Sequence, residues 1–440
     1  MSEPLLLTSA RLWDGTAATS RAHTGVLVEG DRITAVDARA PGRGTRTLDL
    51  GNRTLLPGLI DAHVHLSSVP PTTISDAVSL QVLASLRPLR HLLDAGFTTV
   101  RDLGGALEEP LVIHLRDAIE AHLLSGPRIR SAPHIISSRS GHGDHSPQAL
   151  PSNAHEVGAV ADGVDEVRRR VRMDARHGAD WIKFAATGGL SSPSDSPECP
   201  TYSQQEMDAL VETASDLGLP CATHAFSDEG IDRALLAGVR SIEHACLASA
   251  ACLARIGLSG TVLVPTLYVI ENLLDHLDDE SFWAAQQEDV RAKVERHAPT
   301  LRGHSRRVAA AAAAGVTLAF GTDAGMFPHA DNWREFRSLT RAGLSPDAAL
   351  RAATSTAADL LGRKDLGRIA PGCTADLIAV PEDPLRDIEA LSAVDFVMRE
   401  GAIHRSPGTA PIRPDDASSS QAPARTGSAD GAAKNLRCGS

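Results

Sequence analysis

No stretch of this sequence approaches the roughly 20 consecutive apolar residues that span a bilayer, which argues against a helical membrane protein. The opening MSEPLLLTSARLWDG carries only a short apolar run with no basic segment before it, so it does not read as a secretory signal. Surplus positive charge is also missing: 43 Lys and Arg stand against 55 Asp and Glu, a net charge of −12. General nucleic-acid binding needs a basic face to displace counterions from phosphate, and nothing here supplies one. Small anionic substrates stay open, because a local cationic site can sit in an acidic protein. The six cysteines include no CxxC pair and are too few for a disulfide framework. They read as reduced, mostly buried thiols of a cytoplasmic protein, with Cys438 exposed near the end of the chain.

Three catalytic signatures are absent as well. Gly141-His142-Gly143 meets Ser146 where a dinucleotide fingerprint needs its third glycine, and no glycine precedes any of the four lysines, so there is no Walker loop. No GxSxG occurs, which leaves a serine hydrolase unsupported.

What is present is a soluble globular composition, 42% hydrophobic and 22% charged over 440 residues. The first ~54 residues read as short strands with turns at Asp14-Gly15 and Gly30-Asp31. Eight apolar strand-like runs follow, at 55–65, 98–103, 129–137, 181–186, 220–226, 241–245, 261–267 and 317–322, with helical patterns between most of them. In SQQEMDALVETASDLG, Ser203 and Glu206 form a capping box and Gly218 stops the helix. Two helices are expected after the last run, the second opening at Ser345-Pro346-Asp347. Strand texture then returns in LGRIAPGCTADLIAVP and AVDFVMREGAIH.

The expected fold class is therefore α/β: a (β/α)8 TIM barrel, because eight is the count that closes one, with a small β-sandwich domain built from both chain ends. The boundaries are 1–54 and 365–405 for the two parts of the sandwich and 55–364 for the barrel. The stretch 406–440, rich in Pro, Ser, Gly and Ala, is expected to be a disordered tail.

The chemistry sits at the ends of these runs. In His63-Val64-His65 the two imidazoles are at i and i+2 on a strand and share a face, toward the mouth where barrel enzymes keep their sites. Alone, the pair also reads as two polar residues leaving a strand. His224, His244 and Asp323 end the fifth, sixth and eighth runs, so five candidate ligands converge on one mouth. Four imidazoles and a carboxylate suit Zn2+, with Mn2+, Fe2+ or Co2+ as alternatives.

Lys183 lies inside the apolar run WIKFAA. A buried unpaired ammonium tends to lose its proton, and a neutral amine can add CO2 to become a carbamate, an anion able to bridge two cations. Pairing with a carboxylate is the other reading. His142 lies in a loop whose flanking glycines let it bend toward a ligand, as a hydrogen-bond donor to an oxyanion. Tyr268, just past the seventh run, is a candidate to face substrate. His145 and His329 lie in similar loops without an assigned role.

Together, LPGLIDAHVH, WIKFAATGGLSSP, THAFSDEGIDRALLAGVRSIEHA, GTDAG and LGRIAPGCTADLIAV resemble the metal-dependent amidohydrolase superfamily over about residues 4–405. WIKFAATGG and GHGD are similar to the group of Xaa-Pro dipeptidases, zinc-dependent arginine carboxypeptidases and ochratoxin amidases. That resemblance implies a binuclear centre of two divalent ions, foremost Zn2+. It implies that His63 and His65 bind the more buried metal, that His224 and His244 bind the outer one, and that carbamylated Lys183 bridges both. Asp323 ligates the buried metal and moves protons.

The implied activity is hydrolysis of an amide next to a C-terminal amino acid in a small-molecule substrate, by a chain that forms a homo-oligomer. A lactone, carbamate, cyclic amide or phosphotriester is the alternative bond; a deaminase or a non-catalytic scaffold fits the ligand set less well. One residue departs from the group's pattern: Phe226 stands where a tyrosine would help hold the substrate carboxylate.

Overall fold

The computed structural model describes residues 3–22, 25–39, 44–67, 78–105, 110–144, 158–192, 195–284 and 288–408. Residues through Pro407 make one compact unit. The expected tail and Cys438 lie outside the described residues apart from 406–408, and His145 lies outside them too.

The alternation of strand and helix read from the sequence is observed, and the architecture is α/β. Strands Arg128–Ser131, Phe97–Asp102 and Leu59–Val64 form one parallel sheet. Ala159–Val160, Ile135–Ser137, Ile182–Ala185, Cys221–Ala225, Ser241–His244 and Val262–Val264 form a second, also parallel. Most of these strands are buried along their whole length, as expected where helices cover a parallel sheet. The expected third strand is thus divided, and its halves lie in different sheets.

The eighth run is not a regular strand. It makes two isolated parallel bridges instead, Leu318 to Leu263 and Ala324 to Val64. Main-chain bonds from Ala62 N to Phe320 O and from Asp323 N to His63 O carry it along the first strand. Its departure from a ladder has a local cause: Asp323 has φ 62, outside strand conformation.

Helix signals are borne out where caps were legible. Ser203 and Glu206 form the capping box of Gln204–Asp216, and Gly218 follows with φ 72. Ser345 is the N-cap of Pro346–Ala352. That stretch holds three helices rather than two, Arg334–Ala342 and Ser355–Leu360 being the others.

The chain ends do meet. Leu377–Val380 pairs antiparallel with Thr54–Pro57, within a six-stranded sheet that takes three strands from each end of the chain. A four-stranded sheet of N-terminal strands accompanies it, with the Gly30-Asp31 turn joining Val26–Glu29 to Arg32–Val36. Leu7, Val28 and Ile33 of the second sheet share an apolar cluster with Leu55, Leu377 and Phe396 of the first. All five described cysteines are free, and four are buried. Among the described residues no helix is long and apolar enough to cross a membrane.

Arg128 ties the parallel strands to this terminal layer. Its guanidinium binds Thr99 Oγ1 at 2.8 Å, Asp376 Oδ2 at 2.7 Å and Glu400 Oε1 at 2.6 Å. Removing one partner of a buried pair strands the other charge, so Arg128→Leu should cost about 3–5 kcal/mol of unfolding free energy. Equilibrium denaturation with urea measures this. A loss below about 1 kcal/mol, the value of an exposed pair, would reduce the contact to a surface ion pair.

Candidate metal centre

Period-two alternation along Leu59–Val64 sets Asp61, His63 and His65 on one face. All three are buried. His63 Nε2 lies 3.3 Å from His65 Nε2. Asp323 Oδ1 is 3.5 Å from the first and 3.2 Å from the second. Parallel register brings up the next two: Ala185 pairs with His224, and Ala225 with His244. The His63 and His244 rings are 4.9 Å apart and those of His224 and His244 4.8 Å. One ligand atom each from His63, His244 and Asp323 fall within 4.8 Å of one another.

Lys183 is buried on Ile182–Ala185, and its charge acts on His63, His224 and His244. His142 stacks on His224 at 4.0 Å. Six of the eight residues singled out in the sequence thus gather directly, and Lys183 lies within their electrostatic reach.

Tyr268 stands apart. It lies half-buried on Leu267–Asp275, edge-on to Phe327 at 4.8 Å, and no contact ties it to the imidazoles among the described residues. Phe226 lies against His224 at 4.4 Å and His244 at 5.4 Å, so the position of the missing tyrosine borders the centre.

Each imidazole commits one nitrogen to the protein. His65 Nδ1 donates to Gly104 O at 2.6 Å, and His224 Nε2 to Gly188 O at 3.1 Å. A carbonyl only accepts, so the proton's position is fixed in both rings. His63 Nδ1 meets Glu243 Oε2 at 2.8 Å, and His244 Nδ1 meets Thr266 Oγ1 at 2.7 Å. This leaves Nε2 of His63 and His244, and Nδ1 of His224, available to a metal, with Nε2 of His65 facing Asp323 Oδ1. Partners of this kind orient metal-binding histidines.

The charges agree with that use. Burial holds His63 and His224 well below the usual histidine range and His244 at about 3, so these rings are neutral. Burial works against the Asp323 carboxylate, but the hydrogen bond from His65 and the surrounding imidazoles win and hold it ionised. Burial lowers Lys183 to about 8, against the pull of Glu243 and Asp323. Among the described residues Lys183 forms no hydrogen bond or ion pair. His65 differs: its Nε2 faces Asp323 Oδ1, and against the effect of burial that carboxylate raises its pKa. Three neutral imidazoles, His65 paired with a carboxylate and an unpaired amine make a donor set that fits first-row divalent cations once His65 gives up its Nε2 proton.

Several supporting residues were not singled out in the sequence. Glu243 also binds Arg101 at 2.9 Å, and Arg101 binds Ala62 O and Ser241 Oγ and lies 4.4 Å over the Trp181 ring. Asp61 accepts from His63 N, Thr322 N and Thr322 Oγ1, which sets Asp323 against His63; burial lifts its pKa to about 7. Glu335 accepts from Leu267 N and Tyr268 N and so caps the helix after Thr266. The signal that marked Lys183, a charge inside an apolar strand run, also marks Glu243 in SIEHA and Arg101 in TTVRDL. His329 is buried beside His65, and its Nε2 has no partner among the described residues.

The amidohydrolase family model matches residues 54–404. The chain belongs to the amidohydrolase family, and it is a hydrolase acting on amide bonds. It is 32% identical to ochratoxinase of Aspergillus niger over 428 residues, 88% of this chain and 84% of that protein. A crystal structure of a Xaa-Pro dipeptidase with bound methionine in the active site superposes with TM-score 0.84 and 32% identity, over 92% of this chain and all of that one. A prolidase complexed with N-methylphosphonate-L-proline gives TM-score 0.82 and 31% identity, with the same coverage.

Thr266→Val keeps the side-chain shape and removes the bond to His244 Nδ1. Such a change is expected to weaken metal affinity by about 10–100-fold. Competition with a chromophoric chelator measures it, with circular dichroism as the check on folding. Unchanged affinity would mean that Thr266 does not orient this ligand.

Proposed function

We propose that this chain is a binuclear metal-dependent amidohydrolase that cleaves an amide bond next to a C-terminal amino acid. Its small-molecule substrate is a dipeptide, an N-acyl amino acid or an ochratoxin-like amide. The observation that carries the reading is Lys183: a buried amine, free of hydrogen bonds among the described residues, within electrostatic reach of His63 and of the His224–His244 pair. Addition of CO2 to its Nζ, with loss of one proton, gives a carbamate whose two oxygens would hold two cations. The relatives' names, ochratoxinase and Xaa-Pro dipeptidase, support the bond type. The matching fold reading is an eight-stranded barrel carrying a β-sandwich. It is supported by the bridges of the eighth run to strands of both parallel sheets and by the apolar cluster shared by the terminal sheets.

In this reading His63, His65 and Asp323 hold the inner ion, His224 and His244 the outer, and carbamylated Lys183 both. Bound divalent ions, Zn2+ foremost, would supply Lewis acidity that makes water nucleophilic near neutral pH. Asp323 takes the proton of the attacking water and passes it to the leaving amine nitrogen. His142 offers Nε2, which has no partner among the described residues, to the carbonyl oxygen as charge develops there. Tyr268 is assigned to substrate contact at the mouth. Phe226 has no hydroxyl, so the substrate carboxylate is held by other groups than in relatives with tyrosine there.

The test is a release assay over N-acyl amino acids, dipeptides and ochratoxin-like amides, with the protein stripped by chelator and then reloaded with Zn2+, Co2+ or Mn2+. Stripping should abolish release and reloading restore it; full activity in metal-free protein would rule the reading out. Lys183→Arg keeps the charge but cannot take up CO2, so it should bind one ion instead of two and lose most activity. Two bound ions and normal turnover would end the carbamate proposal.

Asp323→Asn separates ligation from proton transfer. It retains an oxygen donor, so it should keep much of its metal while kcat falls by roughly 10²–10⁴-fold. His244→Asn should lose metal, with excess ion restoring part of the rate. If Asp323→Asn loses rate only in proportion to lost metal, the carboxylate is a ligand and no more.

A further inference from the structure

Behind His142 lies a second charged cluster that the hydrolytic reading does not use. Lys293, on the helix Glu288–Leu301, is buried although its ammonium is a strongly hydrated group. Its Nζ donates to Asp195 Oδ1 at 2.6 Å, to Gly189 O at 3.2 Å and to Ser192 O. Three acceptors meet the three donors of one ammonium, so the buried charge is fully satisfied. All three acceptors belong to the loop residues 188–192 and 195–196, which follow the lysine-bearing strand Ile182–Ala185.

That loop touches the site at two points. Gly188 O accepts from His224 Nε2. Ser192 Oγ lies 2.5 Å from His142 Nδ1, and Asp195 Oδ2 lies 3.6 Å from the same nitrogen. Asp195 Oδ2 also accepts from Gly189 N at 2.9 Å, which ties Asp195 to the residues after the strand. The ring fits without slack: a Cβ on Gly189 would lie 2.3 Å from His142 Nδ1. The other face of the imidazole stacks on His224. His142 is therefore held on one face by a ligand histidine and at Nδ1 by the loop, while Nε2 is left without a partner among the described residues.

We propose that Lys293 is a positioning residue. Acting through Asp195 and Ser192, it fixes the loop and with it the orientation of His142, so that Nε2 is held toward the substrate carbonyl. The inference rests on the reading that His142 meets that carbonyl. Neither Lys293 nor Asp195 touches substrate in this arrangement. Arginine does not replace the lysine, because a planar fork does not match three acceptors gathered around one nitrogen.

The experiment is a double-mutant cycle on the zinc-loaded full chain, using the N-acyl amino acid it hydrolyses best. Lys293→Met should lower kcat on the order of 10²-fold, the cost of a reacting group displaced by about 1 Å, with KM and metal content little changed. In a His142→Gln background the same substitution should cost less than about 2-fold, because its target is already gone. An equal loss in both backgrounds, or normal turnover of Lys293→Met, overturns the proposal. Asp195→Asn repeats the cycle where Lys293→Met fails to fold.

A second readout needs no activity. The ring-nitrogen resonances of 15N-labelled His142 in the metal-free protein, assigned by difference against His142→Gln, should shift or broaden in Lys293→Met while those of His63 and His65 stay. If His142→Gln leaves kcat unchanged, the carbonyl reading fails and the resonance alone judges the clamp. An unmoved His142 signal then overturns it.

Discussion

Glu243 is fully buried and holds Arg101 on one oxygen and His63 on the other. A carboxylate taken out of water is tolerated only when paired and hydrogen-bonded, and the rest of the centre is arranged around meeting that condition. Arg101 comes from the second strand of its sheet, Glu243 from Ser241–His244 of the other sheet, and His63 from Leu59–Val64. One charge relay thus joins the two parallel sheets through their interior. Arg101 also bonds Ala62 O, one residue before His63, so the same guanidinium fixes the backbone of the strand whose histidine it polarises. The orientation of His63 is then a consequence of how the charges are buried.

Strand ends impose a second constraint. His244, Ala245, Thr266 and Asp323 all have positive φ, a conformation that costs L-residues energy and persists where the surroundings over-determine it. His244 closes Ser241–His244, Ala245 follows it, and Thr266 precedes Leu267–Asp275. Thr266 illustrates the exchange. As the residue before Leu267–Asp275 it would ordinarily cap that helix with its hydroxyl. Its hydroxyl goes to His244 instead, and Glu335 from Arg334–Ala342 supplies the missing acceptors to Leu267 N and Tyr268 N. A buried carboxyl group on a distant helix thereby frees one threonine to hold one imidazole of the cluster.

These two constraints explain what could be read in advance. Histidines and an aspartate at the ends of apolar runs were visible because strand periodicity fixes both their face and their end, and the structure gathers them. Ser203 and Glu206 were visible because a cap is local. Glu243 and Arg101 were equally visible in kind, as charges inside apolar runs, but their pairing spans 142 residues and depends on sheet register. Glu335 carried no local mark, since it acts on backbone groups 67 and 68 residues away, and the distant partners of Asp61 and Asp195, Thr322 and Lys293, are equally set by the fold. The irregular eighth run escaped because positive φ at Asp323 answers to the cluster, and apolar patterning does not encode it.

The two buried lysines make the opposite use of one side chain. The sequence prefers arginine, and only four of its 43 basic residues are lysines. Lys293 meets three oxygens of one loop, so its charge is stabilised and its position fixed. Lys183 meets none among the described residues, and burial moves it toward the neutral amine. Arginine would defeat both arrangements for different reasons: its flat fork cannot gather three acceptors at one atom, and its high pKa denies it a neutral, nucleophilic form. The difference between the two lysines is therefore one of partners: three oxygens around Lys293 Nζ, and none around Lys183 Nζ among the described residues.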